Sequence, residues 1–245
     1  MTLVAAIGLQ PGLLTATPSA AAQLPVDVQS LVDQYAAAIA TAQSGRGSVE
    51  SAFALVDRLR DVLMLESRAA GTVLESLDDS TFARLGRALP GVALNRQEVL
   101  VVDADVDYYA TLAAAHGDPA DRAFFSTLKA TYPDSVWPAY IQQQTDATGC
   151  TEFGTPALVD AYRAWTAFQA RFPGRYALRT RTEIGSVTAA LTRSTCACGN
   201  AASVQAGLQR FVDAFPSSPL TSQVRDRLRA VRAGASNVRF SCVSG

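Results

Sequence analysis

Apolar residues recur along most of the chain at the three- and four-residue spacing that places them on one face of an α-helix. The clearest stripe, in the segment 156–172, consists of Leu158, Tyr162, Trp165, Phe168 and Phe172. The same spacing predicts helices over 48–66, 177–193, 200–215 and 220–233. Alanine and leucine outnumber valine, isoleucine and the aromatic residues, which also favours helix. The pattern predicts a mainly helical chain.

One kind of helix ending occurs four times. Two apolar residues four positions apart are followed directly by a proline, at Pro90, Pro133, Pro173 and Pro216. Proline cannot continue a helix and biases the residue before it away from helical dihedral angles. The prolines are 43, 40 and 43 residues apart, a period that suits two antiparallel helices with their turns. We therefore predict an all-α fold of about four stacked antiparallel hairpins.

Two segments depart from the helical pattern. The stretch 98–106 contains the apolar run Val99–Val102, which is either a short strand or part of a buried helix, because periodicity does not separate the two. The residues Asn237–Val243 follow the last predicted helix. They are predicted to form an extended C-terminal tail.

The endings Phe168-x3-Phe172-Pro173 and Phe211-x3-Phe215-Pro216, the second followed by Ser217-Ser218-Pro219, resemble the helix ends of tetratricopeptide-like repeat proteins of bacterial envelopes. The resemblance covers the region after about residue 80, and the period here is longer than the family's usual one. It implies a stacked helical solenoid with a concave surface that binds another protein. It supplies no individual site residue.

The N-terminal residues 1–22 have the outline of a secretory signal. An apolar stretch, Leu3–Leu14, is followed by the small residues Ala20–Ala22, and no charge precedes Asp27. Prolines interrupt this stretch and it is shorter than the roughly 20 residues of a membrane span. The positive charge that usually precedes the apolar stretch of a secretory signal is missing, because no Lys or Arg lies between Met1 and Leu3. A buried amphipathic helix or a disordered tail is therefore the alternative. We predict a periplasmic or secreted protein, with no transmembrane segment and a single helical-repeat domain over 23–245.

Four cysteines, Cys150, Cys196, Cys198 and Cys242, occur in the C-terminal part 150–245. An even number in an exported chain favours disulfides, and the paired C-x2-C spacing of common zinc sites is missing. The predicted helices bring all four sulfurs to one end of the stack. Our first choice is Cys150 with Cys196 and Cys198 with Cys242. The exchange, Cys150 with Cys198 and Cys196 with Cys242, remains open, as do free buried thiols.

The net charge of −1 hides an asymmetry. The segment from Arg171 to Arg239 contains eleven arginines and three acidic residues. Its net charge is therefore +8, and the rest of the chain has a net charge of −9. This excess either belongs to solvated helix faces or forms a basic end that attracts an anionic partner. Nucleic acid is not an expected partner, because the basic segment lacks lysine and carries no known binding signature.

Little in the chain points to catalysis. His116 is the only histidine and falls at a predicted helix end, and no nucleophile, zinc-hydrolase or phosphate-loop motif occurs. The run Asp103-x-Asp105-x-Asp107 lacks the glycine and the final acid of a calcium loop, where Tyr108 and Ala114 stand instead. It is predicted to be an acidic helix start. We predict no catalytic residue, cofactor or metal.

The segment from residue 137 to 146 combines aromatic and amide side chains and carries the candidate binding residues Trp137, Tyr140, Gln142, Gln144 and Asp146. Such side chains recognise sugars or peptides. In the alternative, structural interpretation, Trp137 and Tyr140 pack in the core and the glutamines are solvated.

The leading hypothesis is a non-enzymatic interaction or envelope-assembly module whose partner is a protein or an envelope polymer. One alternative is an envelope hydrolase that acts on polysaccharide or peptidoglycan through carboxylates, since any two acids can converge in a fold. The other alternative is a binder of anionic ligands at the arginine-rich C-terminal end.

Overall fold

A computed structural model of the protein describes residues 24–67, 71–133, 137–145, 148–240 and 242; the predicted signal segment 1–22 lies outside them. The described chain is mainly helical, as predicted. Its helices are α1 (Val26–Gln43), α2 (Val49–Leu63), α3 (Val73–Ser76), α4 (Asp79–Ala88), α5 (Val106–His116), α6 (Pro119–Thr131), α7 (Ala157–Arg171), α8 (Ala177–Thr192), α9 (Ala201–Ala214) and α10 (Thr221–Arg232). None of these described helices combines the length and apolar character needed to cross a bilayer.

Short strands accompany the helices, so the all-α prediction, which allowed one short strand, holds only approximately. The strands are β1 (Glu66–Ser67), β2 (Gly71–Thr72), β3 (Val92–Arg96), β4 (Leu100–Ala104), β5 (Ile141–Gln143), β6 (Gly149–Thr151), β7 (Cys196–Ala197) and β8 (Arg239–Phe240). Of the two alternatives left open for 98–106, the strand is observed: it is β4, which pairs antiparallel with β3. Strands β5 to β8 form one sheet in that order, with β5–β6 antiparallel and the other two pairs parallel. The predicted tail supplies its last strand.

The four proline-terminated helix ends share one backbone geometry. The residues before the prolines are Leu89, Tyr132, Phe172 and Phe215, with φ between −132° and −118° and ψ between 58° and 71°. These angles lie outside the helical region, as the steric effect of a following proline requires. The predicted ends of α4, α6, α7 and α9 are thus confirmed.

The element after each proline differs along the chain. After Pro173 and Pro216 the chain forms α8 and α10, which pack back on α7 and α9. After Pro90 it forms strand β3, and after Pro133 it enters the segment that contains β5 and β6. Helices α1–α2 and α5–α6 also pack as pairs, but no proline of the series lies between their members. A uniform repeat of four hairpins is therefore not observed.

Side-chain caps define the starts of α2 and α6. Ser48 accepts the N–H of Ser51 and begins α2. This helix ends at Leu63 rather than at the predicted residue 66. Asp118 and Asp121 form a reciprocal capping box at the start of α6, which satisfies N–H groups that have no partner in the helix.

Two apolar cores are built on opposite ends of α7. Trp165 and Phe168 pack into the first core, which α1, α2, α5 and α6 supply. Leu158 and Tyr162 pack into the second core, together with α8, α9 and α10. Ile184 on α8 contacts both cores. Helix α7 thus contributes to both cores and links the N-terminal part of the chain to the C-terminal part.

Candidate functional site

Each disulfide joins a strand of the four-stranded sheet to a residue that follows a neighbouring strand. Cys150 on β6 is bonded to Cys198, with a Cα–Cα distance of 5.1 Å, and Cys196 on β7 is bonded to Cys242, at 5.7 Å. The prediction that the cysteines form disulfides is confirmed, but the first-choice pairing is wrong and its exchange is observed. The reason is strand pairing.

Strand β7 lies between β6 and β8, and its two ends are held to different neighbours. The N–H of Cys198 donates to the carbonyl of Thr151, next to Cys150, at 3.0 Å. Cys196 is paired with Arg239 of β8, which brings it towards the chain that continues to Cys242. Each cysteine of the Cys-x-Cys pair therefore bonds to the neighbour on its own side.

Paired variants will test this connectivity. In Cys150→Ser/Cys198→Ser the second bridge is retained, so we expect no free thiol under denaturing conditions. In Cys150→Ser/Cys196→Ser both disulfides lose one cysteine. Cys198 and Cys242 are then left unbonded, and we expect two free thiols per chain. Thiol titration of the purified, unreduced proteins distinguishes the two, and the opposite counts would contradict the observed pairing.

A cleft of about 600 Å³ opens beside this sheet, and we call it the aromatic cleft. One wall comes from the segment after α6: Tyr132, Trp137, Pro138, Tyr140 and Ile141. The other wall comes from the C-terminal end of α8 and the residues after it: Ser186, Ala189, Ala190, Arg193, Ser194 and Thr195. Thr151 of β6 also lines the cleft. The cleft joins a rigid helix to a disulfide-linked sheet.

The structure brings two of the predicted binding residues together in this cleft. Trp137 is half-buried, whereas Tyr140 is only 3% exposed and also packs in the second core. Gln142 is exposed on β5 and does not line the cleft, and the amide of Gln144 lies 3.1 Å from the sulfur of Cys150. Asp146 lies outside the described residues. Of the five predicted binding residues, the candidate site therefore keeps Trp137 and Tyr140. It also includes residues of α8 that were not predicted.

A glycine on β6 makes room for Ile141 of the aromatic wall. A Cβ atom at Gly149 would lie 2.6 Å from Cγ2 of Ile141 and 3.5 Å from Cζ3 of Trp137. The missing side chain thus allows Ile141 to lie close to β6, whereas the indole would make an ordinary van der Waals contact with a Cβ there. Any larger residue would displace the Ile141 side of the aromatic wall.

Behind the aromatic wall lies a buried charge cluster. The hydroxyl of Tyr132 donates to both oxygens of Glu183, at 3.0 and 3.1 Å, and Nε of Arg179 donates to the same carboxylate at 2.6 Å. Burial raises the pKa of Tyr132 and of Tyr140 well above the usual tyrosine value, and the charge of Glu183 raises both further. Both phenols are therefore neutral. Arg193 is the one charged side chain among the described residues that line the cleft.

Ser186, Ala189 and Arg193 were missed by the sequence analysis. Ser186 and Ala189 lie on the outer face of α8 and Arg193 is its C-cap, and an outer face of small and polar residues is typical of a solvated helix surface. The signal was the low bulk of Gly185, Ser186 and Ala189 on that face. Small residues let another element approach a helix closely, but they do not identify that element.

A second cleft of about 740 Å³ lies on the other side of the α8 terminus, and we call it the polar cleft. Its lining is Thr188, Thr192 and Arg193 after the middle of α8, Gln223, Asp226, Arg227 and Ala230 on α10, and the tail residues 235–237. Arg227 donates to the carbonyls of Ala190 (2.9 Å) and Ser194. Burial lowers the pKa of Arg227. Arg193 borders both clefts.

The acidic residues that converge in the described structure do so around arginines. Arg175 contacts Glu50, Asp118 and Asp121 at once, and the hydroxyl of Tyr176 donates to Asp121 at 2.8 Å. Burial alone raises the pKa of Asp118, but hydrogen bonds from Arg175 and from backbone N–H groups outweigh it and lower the pKa. These carboxylates are thus engaged in joining α2, α6 and the start of α8.

The remaining sequence candidates fall at helix ends. Asp105 caps α5, which confirms the acidic helix start, and His116 is the last residue of that helix. A shallow cavity of about 430 Å³ along α5 is lined by His116, Asp107 and Tyr108 among others. Across the described ranges, no group of three metal-ligating side chains converges.

Comparison of the chain with known protein families, with curated proteins and with solved structures finds no match. No relative therefore assigns a role to Trp137, Arg193 or any other residue of the two clefts. Function is inferred from the geometry and charges of this chain alone.

Proposed function

We propose that the protein is an exported, non-enzymatic interaction module that holds a segment of a partner protein in the aromatic cleft. The observation that carries the proposal is the cleft itself. A half-buried indole and the apolar side chains of Ile141, Ala189 and Ala190 line one concave surface. Aromatic side chains in concave, desolvated surfaces supply much of the energy of protein recognition.

The scaffold around the cleft favours binding because it is ordered in advance. Helix α8 forms one wall, and the opposite wall leads into a sheet whose strands are joined by both disulfides. A site that is already ordered loses less conformational entropy when it binds its partner. This arrangement suits a binding surface and requires no reacting group.

A tetratricopeptide-like architecture in the C-terminal part belongs to the same proposal. Helices α7–α8 and α9–α10 are two successive pairs, each with a proline-ended first helix. Their turns also agree, since Arg175 and Ser218 each donate their N–H to the carbonyl of the phenylalanine three residues earlier. Similar hairpins stack in helical-repeat proteins, which use the resulting surface to bind partners.

Export is supported by the two disulfides, because disulfides persist in oxidising compartments and are rare in the cytosol of most organisms. The predicted signal segment 1–22 is a second reason to propose export. The hydrolase hypothesis stays a prediction without a favoured pair of carboxylates, since the acids that cluster around Arg175 are held in ion pairs.

The test is capture of partners from the cell envelope of the producing organism by the immobilised, oxidised protein. Trp137→Ala removes the aromatic anchor, and Ala189→Gln fills the cleft from the helix side without removing any core atom. We expect both variants to lose the proteins that the wild type retains, by at least tenfold in quantitative mass spectrometry.

Leu65→Ala is the matched control, because Leu65 is 63% exposed, lies in the N-terminal part of the chain and does not line the cleft. It should retain the same proteins as the wild type. Circular dichroism establishes that all variants are folded. A set of captured proteins that is equal for the wild type and both cleft variants would refute the proposal.

A further inference from the structure

We infer that the bound partner segment is an acidic peptide that crosses the C-terminal end of α8, with an apolar side chain in the aromatic cleft and a carboxylate on Arg193. This inference rests on the proposed function and specifies its ligand. One residue, Arg193, lines both the aromatic cleft and the polar cleft.

Arg193 is exposed and is the residue at which α8 ends. Within the described ranges it has no carboxylate at ion-pair distance, in contrast to Arg175 and Arg179 near the start of the same helix. The described lining of the aromatic cleft contains no acid. A ligand carboxylate beside Arg193 would therefore meet an unpaired guanidinium, which binds carboxylates through two parallel hydrogen bonds.

The end of α8 would by itself disfavour an anion, because the last carbonyls of a helix carry partial negative charge. The guanidinium of Arg227 offsets this partial negative charge. It donates to the carbonyls of Ala190 and Ser194, and no acid in the described structure pairs with it. Asp226, the acid in the described lining of the polar cleft, is paired with Arg229. Two guanidinium groups thus dominate the charge at the helix end.

The lining of the aromatic cleft favours a peptide over an acidic polysaccharide. Ile141, Ala189 and Ala190 offer apolar surface next to the polar groups of Ser186 and Thr195, a combination that suits an apolar peptide side chain with its flanking backbone amides. Tyr140 is 3% exposed, so it does not present a ring face for a sugar to stack on. The half-buried Trp137 is the remaining anchor, and a single side chain occupies such a site.

Selection from a displayed library of random twelve-residue peptides, on the oxidised protein at low salt, tests this inference. We expect the enriched peptides to carry Asp or Glu beside an aliphatic or aromatic residue. The best peptide is then synthesised with its acids and with each acid replaced by its amide. Fluorescence anisotropy should show that Arg193→Gln weakens the acidic peptide about tenfold and the amide peptide hardly at all.

Arg181→Gln is the matched control, since Arg181 is exposed on α8, has no ion pair in the described structure and lines neither cleft. It should leave the affinity unchanged, and raising the salt should weaken binding to the wild type more than to Arg193→Gln. An oligogalacturonate of equal charge should compete poorly.

The outcomes separate the two proposals. Peptides whose affinity depends on Trp137 but not on Arg193 or salt would overturn the acidic ligand and leave the interaction module standing. Oligogalacturonate that binds more tightly than any peptide, with dependence on Arg193, would overturn the peptide in favour of a polysaccharide. Peptide binding that neither Trp137→Ala nor Ala189→Gln alters would refute both proposals.

Discussion

Replacing Phe124 by alanine is expected to lower the free energy of unfolding by about 4 kcal/mol. Phe124 on α6 is fully buried, and its ring stacks on that of Tyr176 with centroids 3.7 Å apart. It also meets the edges or faces of Phe53, Trp165 and Phe168. The substitution therefore removes a large apolar side chain and leaves a cavity where α2, α6, α7 and the start of α8 meet.

Urea unfolding followed by far-ultraviolet circular dichroism measures this loss. Leu178→Ala is the control, because Leu178 lies two residues after Tyr176 but is 63% exposed, and surface substitutions usually change stability by less than about 0.5 kcal/mol. A loss below about 1 kcal/mol for Phe124→Ala would show that the aromatic cluster does not hold the two parts of the chain together.

The second large effect is expected for Glu183→Gln, at about 3 kcal/mol of lost stability. Glu183 is 1% exposed and accepts hydrogen bonds from Arg179 and Tyr132. Burial alone lowers the pKa of Arg179, but the charges of Glu183 and Asp103 outweigh it and raise the pKa. An arginine keeps its charge in a protein even without a partner, so in the variant Arg179 is still charged but has lost its nearest counter-charge. Asp103, at 3.8 Å, is the acid that remains near it in the described structure.

An exposed ion pair provides the matched control. Arg163 and Asp160 on α7 are both about half exposed, so Asp160→Asn should cost less than about 1 kcal/mol. The double variant Arg179→Met/Glu183→Leu should be more stable than Glu183→Gln, because it buries no unpaired charge. Equal stabilities of Glu183→Gln and Asp160→Asn in urea would contradict the role of the buried cluster.

The candidate site was predictable in part. The aromatic residues Trp137 and Tyr140 stand out in the sequence because they interrupt a helical pattern, and both line the cleft. Arg193 does not stand out among eleven arginines of the C-terminal part. Its role depends on the packing of α8 against a segment about fifty residues earlier in the chain, and side-chain periodicity carries no information on such distant neighbours.

The sequence by itself determined α2, α7, α8, α9 and α10, the four proline-terminated helix ends and the presence of disulfides, because these follow from local rules. Apolar spacing defines one buried face, and a proline restricts the residue immediately before it, at Leu89 as at Phe215. Only the tertiary structure decided that β4 pairs with β3, that Cys150 bonds to Cys198, and that Arg193 borders two clefts. Each of these features depends on hydrogen bonds or packing between segments that are distant in sequence, and a strand's own residues do not specify its partner.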